Sequence, residues 1–307
     1  MKVTLLLFAL FFTTVLCGGL KLDRGNREAA DAFDAALLEL WQDGTYDDLY
    51  RSYYGKTPER FSDCVEDVAA LNYPTTMTNK GLLDDMLDNG ELRMGYFEPL
   101  AILPGFDTDA YGNVIGGFYP DLAEEIVARI AINYGIPSIT LEWIPITTVA
   151  DFYPDHEDGV YDVIFMSLFK TAMWSAPVAP RPDIWQFSCG LLTTEPLRYY
   201  VCPGAVTKGL NITSAETLDT PSTVVKFIGG GAQETAANVN FPSSQRSAAA
   251  DLATLFDECE NGPADVIVEL PDRITSAVDG FIVDTQPIAT YQNTGAAFRL
   301  DKKQWVL

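Results

Sequence analysis

Apolar positions along this chain follow two periods, one of strands and one of helices. Leu92 to Phe97 is a short run rich in apolar and aromatic residues, which suits a buried strand. Asp107 to Gly117 is polar and glycine-rich, the composition of a loop. Pro120 fits a first helical turn, where its missing N–H is no loss, and Asp121, Glu124 and Glu125 suit the positive end of the dipole. Leu122, Ile126 and Ile130 then recur every fourth residue as a buried helix face. Strand, loop and helix in this order predict the opening unit of an open α/β sheet.

The alternation continues. Thr140 to Ile146 reads as a second strand, Thr147 to Gly159 as a helix and loop, and Tyr161 to Met166 as a third strand. This spacing implies a mostly parallel sheet. Further on, Val224 to Gly229 is a strand whose glycine-rich end leads into a helix, and Asp265 to Val268 is another strand. Between them, Ser247 to Glu260 predicts an amphipathic helix with Leu252, Leu255, Phe256 and Cys259 inward. Near the start, Phe33, Leu37, Leu40 and Trp41 share one helical face. Gly44 is placed to end that helix, and Tyr46 to Tyr53 begins another, so the pair reads as a helical hairpin. Thr57 to Asn79 is a less regular connector with one helix over Phe61 to Leu71.

Composition narrows the classes. With 307 residues and 48% hydrophobic, the chain can bury a core for one or two domains. A net charge of −23 makes nucleic acid a poor partner, since phosphate binding needs clustered Lys and Arg. Met1 to Gly19 carries Lys2, an apolar run from Val3 to Phe12 and small residues near Cys17. That is the layout of a secretory leader (residues 1–17), with lipidation of Cys17 as the rival reading. Cys64, Cys189, Cys202 and Cys259 remain after such a cut, an even count that suggests disulfides, with free buried thiols as the alternative. Their wide spacing fits no metal-ligand pattern. His156 is the only histidine, and its setting, Pro154-Asp-His-Glu-Asp-Gly159, predicts a solvated loop.

Several motifs, taken together, carry a resemblance. Leu92-Arg-Met-Gly-Tyr-Phe-Glu-Pro99, Gly117-Phe-Tyr-Pro-Asp-Leu-Ala-Glu-Glu-Ile126, Asp162-Val-Ile-Phe-Met-Ser167 and Gly295-Ala-Ala-Phe-Arg-Leu-Asp301 follow one another along the chain. In that order they resemble the extracellular solute-binding proteins of family 3, the periplasmic amino-acid-binding type. Gly81 to Asn89 is similar to the short helix before that family's first strand. Leu38 to Gly55 resembles the helices that normally close the family's chain, yet here it precedes the opening strand. The resemblance covers residues 28–55 and 81–305 in permuted order, which implies a circular permutation. A piece of a tandem array or a misread gene are the alternatives.

The resemblance implies a two-lobed, periplasmic-binding-protein-like α/β fold of type II with a ligand cleft between the lobes. Lobe one would comprise residues 26–190 and 295–307, including the hairpin 28–55, and lobe two residues 191–294. Tyr96, Phe97 and Phe118 would offer aromatic faces to a ligand, with core packing the alternative role for at least one of them. Ser167 would end a strand beside it. Arg181, six residues before Phe187-Ser188, would hold a carboxylate, although Val178 stands where the family has a threonine. Gly230, Gly231 and Ala232, in the turn that begins at Gly229, would donate backbone N–H groups, again without the family's threonine. Glu269 and Asp272 compete for the α-ammonium, while Asp265 would be structural. Trp174 and Trp185 would line or cover the cleft. In this arrangement Cys202 pairs with Cys259 in lobe two and Cys64 with Cys189 near lobe one. Asn211-Ile-Thr213 is an N-glycosylation acceptor in a eukaryotic source.

The function implied is a secreted, extracellular or periplasmic binding protein for a small amino-acid-like ligand. It would work with a membrane transporter or receptor, and without cofactor, metal or catalytic residue. Two other classes stay open: a cyclohexadienyl or arogenate dehydratase-like enzyme on the same fold, or a ligand-free scaffold.

Overall fold

The computed structural model describes residues 24–58, 72–75, 81–101, 103–148, 151–169, 185–192, 197–211, 213–230, 232–270 and 294–299. Helix α1 (Arg24–Asp43) buries Ala29, Ala30, Ala32, Phe33, Ala36, Leu37 and Leu40 on one face. The alanines let it lie close to its neighbours. Gly44, at φ 85, takes the left-handed turn into α2 (Thr45–Tyr54), and Gly55 at φ 65 ends that helix. After α3 (Leu82–Asn89), strand β1 (Glu91–Phe97) enters the first sheet.

The loop expected at Asp107 to Gly117 contains a small hairpin of β2 (Asp107–Thr108) and β3 (Val114–Gly116). Gly117 follows at φ 113, where a Cβ would lie 2.7 Å from the Gly105 carbonyl oxygen. Only glycine fits there, and the backbone turns straight into α4 (Phe118–Tyr134). Leu122, Ile126 and Ile130 of α4 are buried, as the four-residue spacing predicts.

The first sheet has the order β4-β1-β5-β11-β6, built from β4 (Thr140–Ile146), β5 (Val163–Phe169), β6 (Trp185–Leu192) and β11 (Thr294–Arg299). Strand β1 runs parallel to β4, from Glu91↔Thr140 to Phe97↔Ile146, and parallel to β5 at Met94↔Val163. Arg93 on β1 clamps the approach to β5. Its Nη2 donates to Asp162 Oδ1 at 2.6 Å and its Nη1 to the Gly159 carbonyl at 2.8 Å. Strand β11 is antiparallel to both its neighbours. Helix α1 packs on β6 and β11, so the hairpin lies on the first sheet beside the return strand.

The second sheet has the order β7-β10-β8-β9, from β7 (Arg198–Val201), β8 (Val224–Ile228), β9 (Gln245–Ala249) and β10 (Val266–Glu269). Strands β8, β9 and β10 are parallel, and β7 is antiparallel to β10. The four-residue run Val266–Glu269 is wholly buried. Val266 and Val268 share a cluster with Ala236, Ala237 and Phe241, while Ile267 joins the opposite face with Leu255 and Phe256. This is the strand period of two with both faces covered.

Short helices α6 (Pro203–Thr207) and α7 (Ala215–Leu218) precede β8, and α8 (Ala232–Asn240) follows it; α5 (Phe152–Asp158) lies in the first half of the chain. The helix expected over Ser247 to Glu260 is shorter. Gln245–Ala249 is strand β9, and α9 (Leu252–Glu260) begins only after Asp251, whose side chain accepts the Thr254 N–H at 2.7 Å. That N-cap decides the boundary. The Cys202–Cys259 disulfide joins the end of β7 to α9, with Cα atoms 5.0 Å apart. Cys64 lies outside the described residues, as does the helix expected at Phe61 to Leu71. Among the described residues no helix is long and apolar enough to cross a membrane.

Candidate functional site

The polar constellation nearest the expected site lies where β8 and β10 end. After Ile228 the chain turns through Gly229 and Gly230, the latter at φ 80, into the first turn of α8. Glu234 reaches back from that turn, and its Oε2 accepts the Gly230 N–H at 2.7 Å. The Gly230 donor is thus held by the protein's own carboxylate. The next N–H groups, from Ala232 onward, begin the helix and have no intrahelical acceptor by the geometry of any helix start. Gly231 itself lies outside the described residues, and Ala232 opens α8.

Glu269 is fully buried at the end of β10. Gln233 Nε2 donates to its Oε1 at 3.0 Å and to its Oε2 at 3.3 Å, and the Leu270 N–H donates to Oε1 at 2.7 Å. A buried carboxylate needs such donors. Here they come from the protein, so Glu269 is engaged internally, and Asp272, its competitor, lies outside the described residues. Sequence reasoning passed over Gln233 and Glu234. The signal available was their place in the first helical turn after three consecutive glycines, where side chains reach back toward the turn.

On the first sheet, two of the three nominated aromatic residues serve a different purpose. Tyr96 is 1% exposed, stacks on Phe106 at 5.1 Å between ring centroids, and donates its hydroxyl to the Gly112 carbonyl at 3.0 Å. Burial, aided by the Glu98 charge, pushes its phenol pKa up. It pins the β2–β3 loop to β1. Phe118 is 0% exposed and meets Tyr50 and Tyr54 edge-on at 5.7 and 5.3 Å. Both rings are core. Phe97, at the end of β1, is 5% exposed, and its N–H donates to Met166 Sδ at 3.3 Å. Ser167 lies in β5 beside the return strand, where Leu168 pairs with Gly295. Arg181, Val178 and Trp174 are outside the described residues, and Trp185 opens β6.

His156 is not in a solvated loop. It is buried in α5, its ring stacked on Tyr161 at 5.1 Å and its Nε2 3.2 Å from the Asp162 carbonyl oxygen. Asp265 has the structural part expected of it. Lys208 Nζ donates to its Oδ2 at 2.8 Å, and so does the Val224 N–H at 2.9 Å. Among the described residues no group of three or more His, Cys, Asp or Glu side chains gathers as metal ligands would. A groove of about 740 Å³ runs between α4 and the edge strand β4, lined by Val127, Ala131, Ile139, Leu141 and Trp143 among others. It contains none of the nominated residues.

No family model and no curated protein matches the sequence. Solved structures do match. An ancestral amino acid-binding protein, a precursor of cyclohexadienyl dehydratase, aligns with TM-score 0.55 at 24% identity, over 71% of this chain and 85% of that one. The binding component assigned to an ABC transporter from Wolinella succinogenes, complexed with lysine, aligns with TM-score 0.52 at 24% identity, over 69% and 83%. An amino acid ABC transporter substrate-binding protein from Streptococcus pneumoniae, bound to L-arginine, gives TM-score 0.53 at 15% identity, over 72% and 86%. The fold is that of the two-lobed periplasmic binding proteins. At these identities the likeness carries the fold alone. The chain passes from the first sheet to the second between β6 and β7 and returns between β10 and β11.

Proposed function

We propose that this chain is a secreted binding protein that captures a small amino-acid-like solute between its two lobes and performs no chemistry of its own. The observation that carries the reading is the return of β11 between β5 and β6. It doubles the connection between the sheets, as hinged closure around a ligand needs. The lobes would divide at residues 191 and 294. Phe97, Ser167 and Arg181 would approach from lobe one. The N–H groups of Gly231 and Ala232, next to the Gly230 N–H that Glu234 holds, would approach from lobe two. Asp272 and Glu269 would compete for an ammonium group, Glu269 with Gln233 and the Leu270 N–H already donating to it. The relatives' lysine and arginine, and the acidic surface of this chain, make basic amino acids the first to try. A membrane transporter or receptor would receive the solute. The position of α1 on β11 supports the reading of the hairpin as a circular permutation.

A thermal-shift screen with amino acids, prephenate and arogenate tests this. A ligand at a hundred times its Kd stabilises the native state by about 2.7 kcal/mol, so a rise in Tm with an amino acid is the expected result. No rise with any compound would favour a ligand-free scaffold, and turnover of prephenate or arogenate would favour an enzyme. Arg181→Ala should weaken binding by about 2–5 kcal/mol and leave folding intact. Arg181→Lys should also be costly, because it keeps the charge but loses the two-pronged donor. Unchanged calorimetric affinity in Arg181→Ala would reduce this arginine to a surface residue.

A further inference from the structure

The geometry points to Asn211 as the acceptor of an N-linked glycan. Asn211-Ile-Thr213 is the one Asn-X-Ser/Thr sequence in the chain, and its middle residue is not proline. It lies between α6 and α7 on an open stretch: Val206, Thr207, Lys208, Gly209, Asn211 and Thr213 are all exposed. Thr213 turns back on the asparagine. Its Oγ1 donates to Asn211 Oδ1 at 2.9 Å and its N–H to the same oxygen at 3.3 Å. The amide oxygen is held toward the backbone, and the Nδ2 that would carry the sugar is on the exposed side chain.

Two further features agree. The Cys202–Cys259 disulfide in the same lobe suits an oxidising secretory compartment, where such glycans are attached. The location is also compatible with ligand capture. Lys208, three residues before Asn211, reaches Asp265 at the start of β10. Gly230 and Glu269 lie at the opposite, C-terminal ends of the parallel strands β8 and β10. A glycan on Asn211 therefore sits at the end of the second sheet away from the candidate site.

In the step itself, Asn211 Nδ2 attacks the anomeric carbon of a lipid-linked oligosaccharide pyrophosphate. The N–C bond forms, the C–O bond to pyrophosphate breaks, the lipid pyrophosphate leaves and the amide loses one proton. The test is to express the full chain behind a yeast secretion leader in a yeast host. The secreted protein is treated with peptide:N-glycosidase in heavy-oxygen water. The expected result is a gel shift on treatment and a heavy-oxygen mark on Asn211 in the peptide map. The shift should be lost in Asn211→Gln and in Thr213→Val and kept in Thr213→Ser. A wild-type chain with no releasable glycan, or a mark on any residue other than Asn211, overturns the assignment. The peptide map on the wild type decides this even where a variant fails to fold.

Discussion

Around the first sheet a cluster of aromatic rings is set into an aliphatic core; around the second the core is mixed with charge. Trp41 stacks on Tyr46 at 4.2 Å, Tyr50 on Tyr54 at 4.5 Å, and Phe118 sits edge-on among them. The second sheet instead has a buried acid at each end of β10, Asp265 and Glu269. Lys226 Nζ on β8 also donates to Glu258 Oε1 on α9 at 3.0 Å, and a disulfide fastens α9 to β7. The difference sets what each region tolerates. A ring cluster is sensitive to volume, since a lost side chain leaves a cavity. A buried acid is sensitive to pairing, since a lost partner leaves a desolvated group unsatisfied.

The largest effect should come from Phe118→Ala, which empties the middle of the ring cluster. Urea unfolding should show a loss of about 3–5 kcal/mol. A loss under about 1 kcal/mol would mean the rings are only neighbours. Removing the disulfide in a Cys202→Ala/Cys259→Ala protein should lower stability by about 2–4 kcal/mol. Hydrogen exchange should place that loss in β7 and α9 and spare α4; an equal loss in α4 would break the division between the two regions. Asp265→Ala strands the Val224 N–H and the Lys208 ammonium. Lys208 is 45% exposed and can turn to water, so the cost should be about 2 kcal/mol, below that of a fully buried pair. Asp265→Asn, which preserves an acceptor, should recover part of it.

The smallest effect is a surface one on the ring-rich side. Asp43 accepts the Thr45 N–H and hydroxyl and pairs with Arg129, which together lower its pKa from 3.8 to about 2. A depressed carboxylate stabilises the fold above its unfolded pKa and loses that contribution as pH falls through the folded value. The advantage of the wild type over Asp43→Asn should be present at neutral pH and disappear between about pH 4 and pH 2. Because the group is mostly exposed, it should amount to a few tenths of a kcal/mol. Urea midpoints at both pH limits measure it.

Much of this fold was legible because periodicity reports burial. The four-residue spacing of Leu122, Ile126 and Ile130 and the apolar run at Leu92 to Phe97 both fall where they should. Periodicity does not say what a buried residue is buried against. Tyr96 and Phe118 looked the same from sequence whether they faced a ligand or Phe106 and Tyr50. His156, among aspartates and glutamate, looked solvated because its partner Tyr161 comes after the turn that ends its helix. The β9–α9 boundary was missed because Ser247, Ala248 and Ala249 suit either period, and only the Asp251 cap separates them. At the candidate site, the glycines were found but not the Gln233–Glu269 and Glu234–Gly230 bonds. The first depends on the spacing of β8 and β10, which no local pattern encodes; the second spans only four residues and was within reach of the sequence.

The position of β11 also governs the order in which the molecule can be made. Its six residues, Thr294–Arg299, occupy an interior place in the first sheet, between β5 and β6. As the chain emerges from the ribosome, β1, β4, β5 and β6 all appear before that place can be filled. Strands β7 to β10 lie together between residues 198 and 269 and need no other strand to complete their sheet. Closing the first sheet brings together residues more than a hundred positions apart, and such non-local pairing is slow. The first sheet is therefore the one completed last.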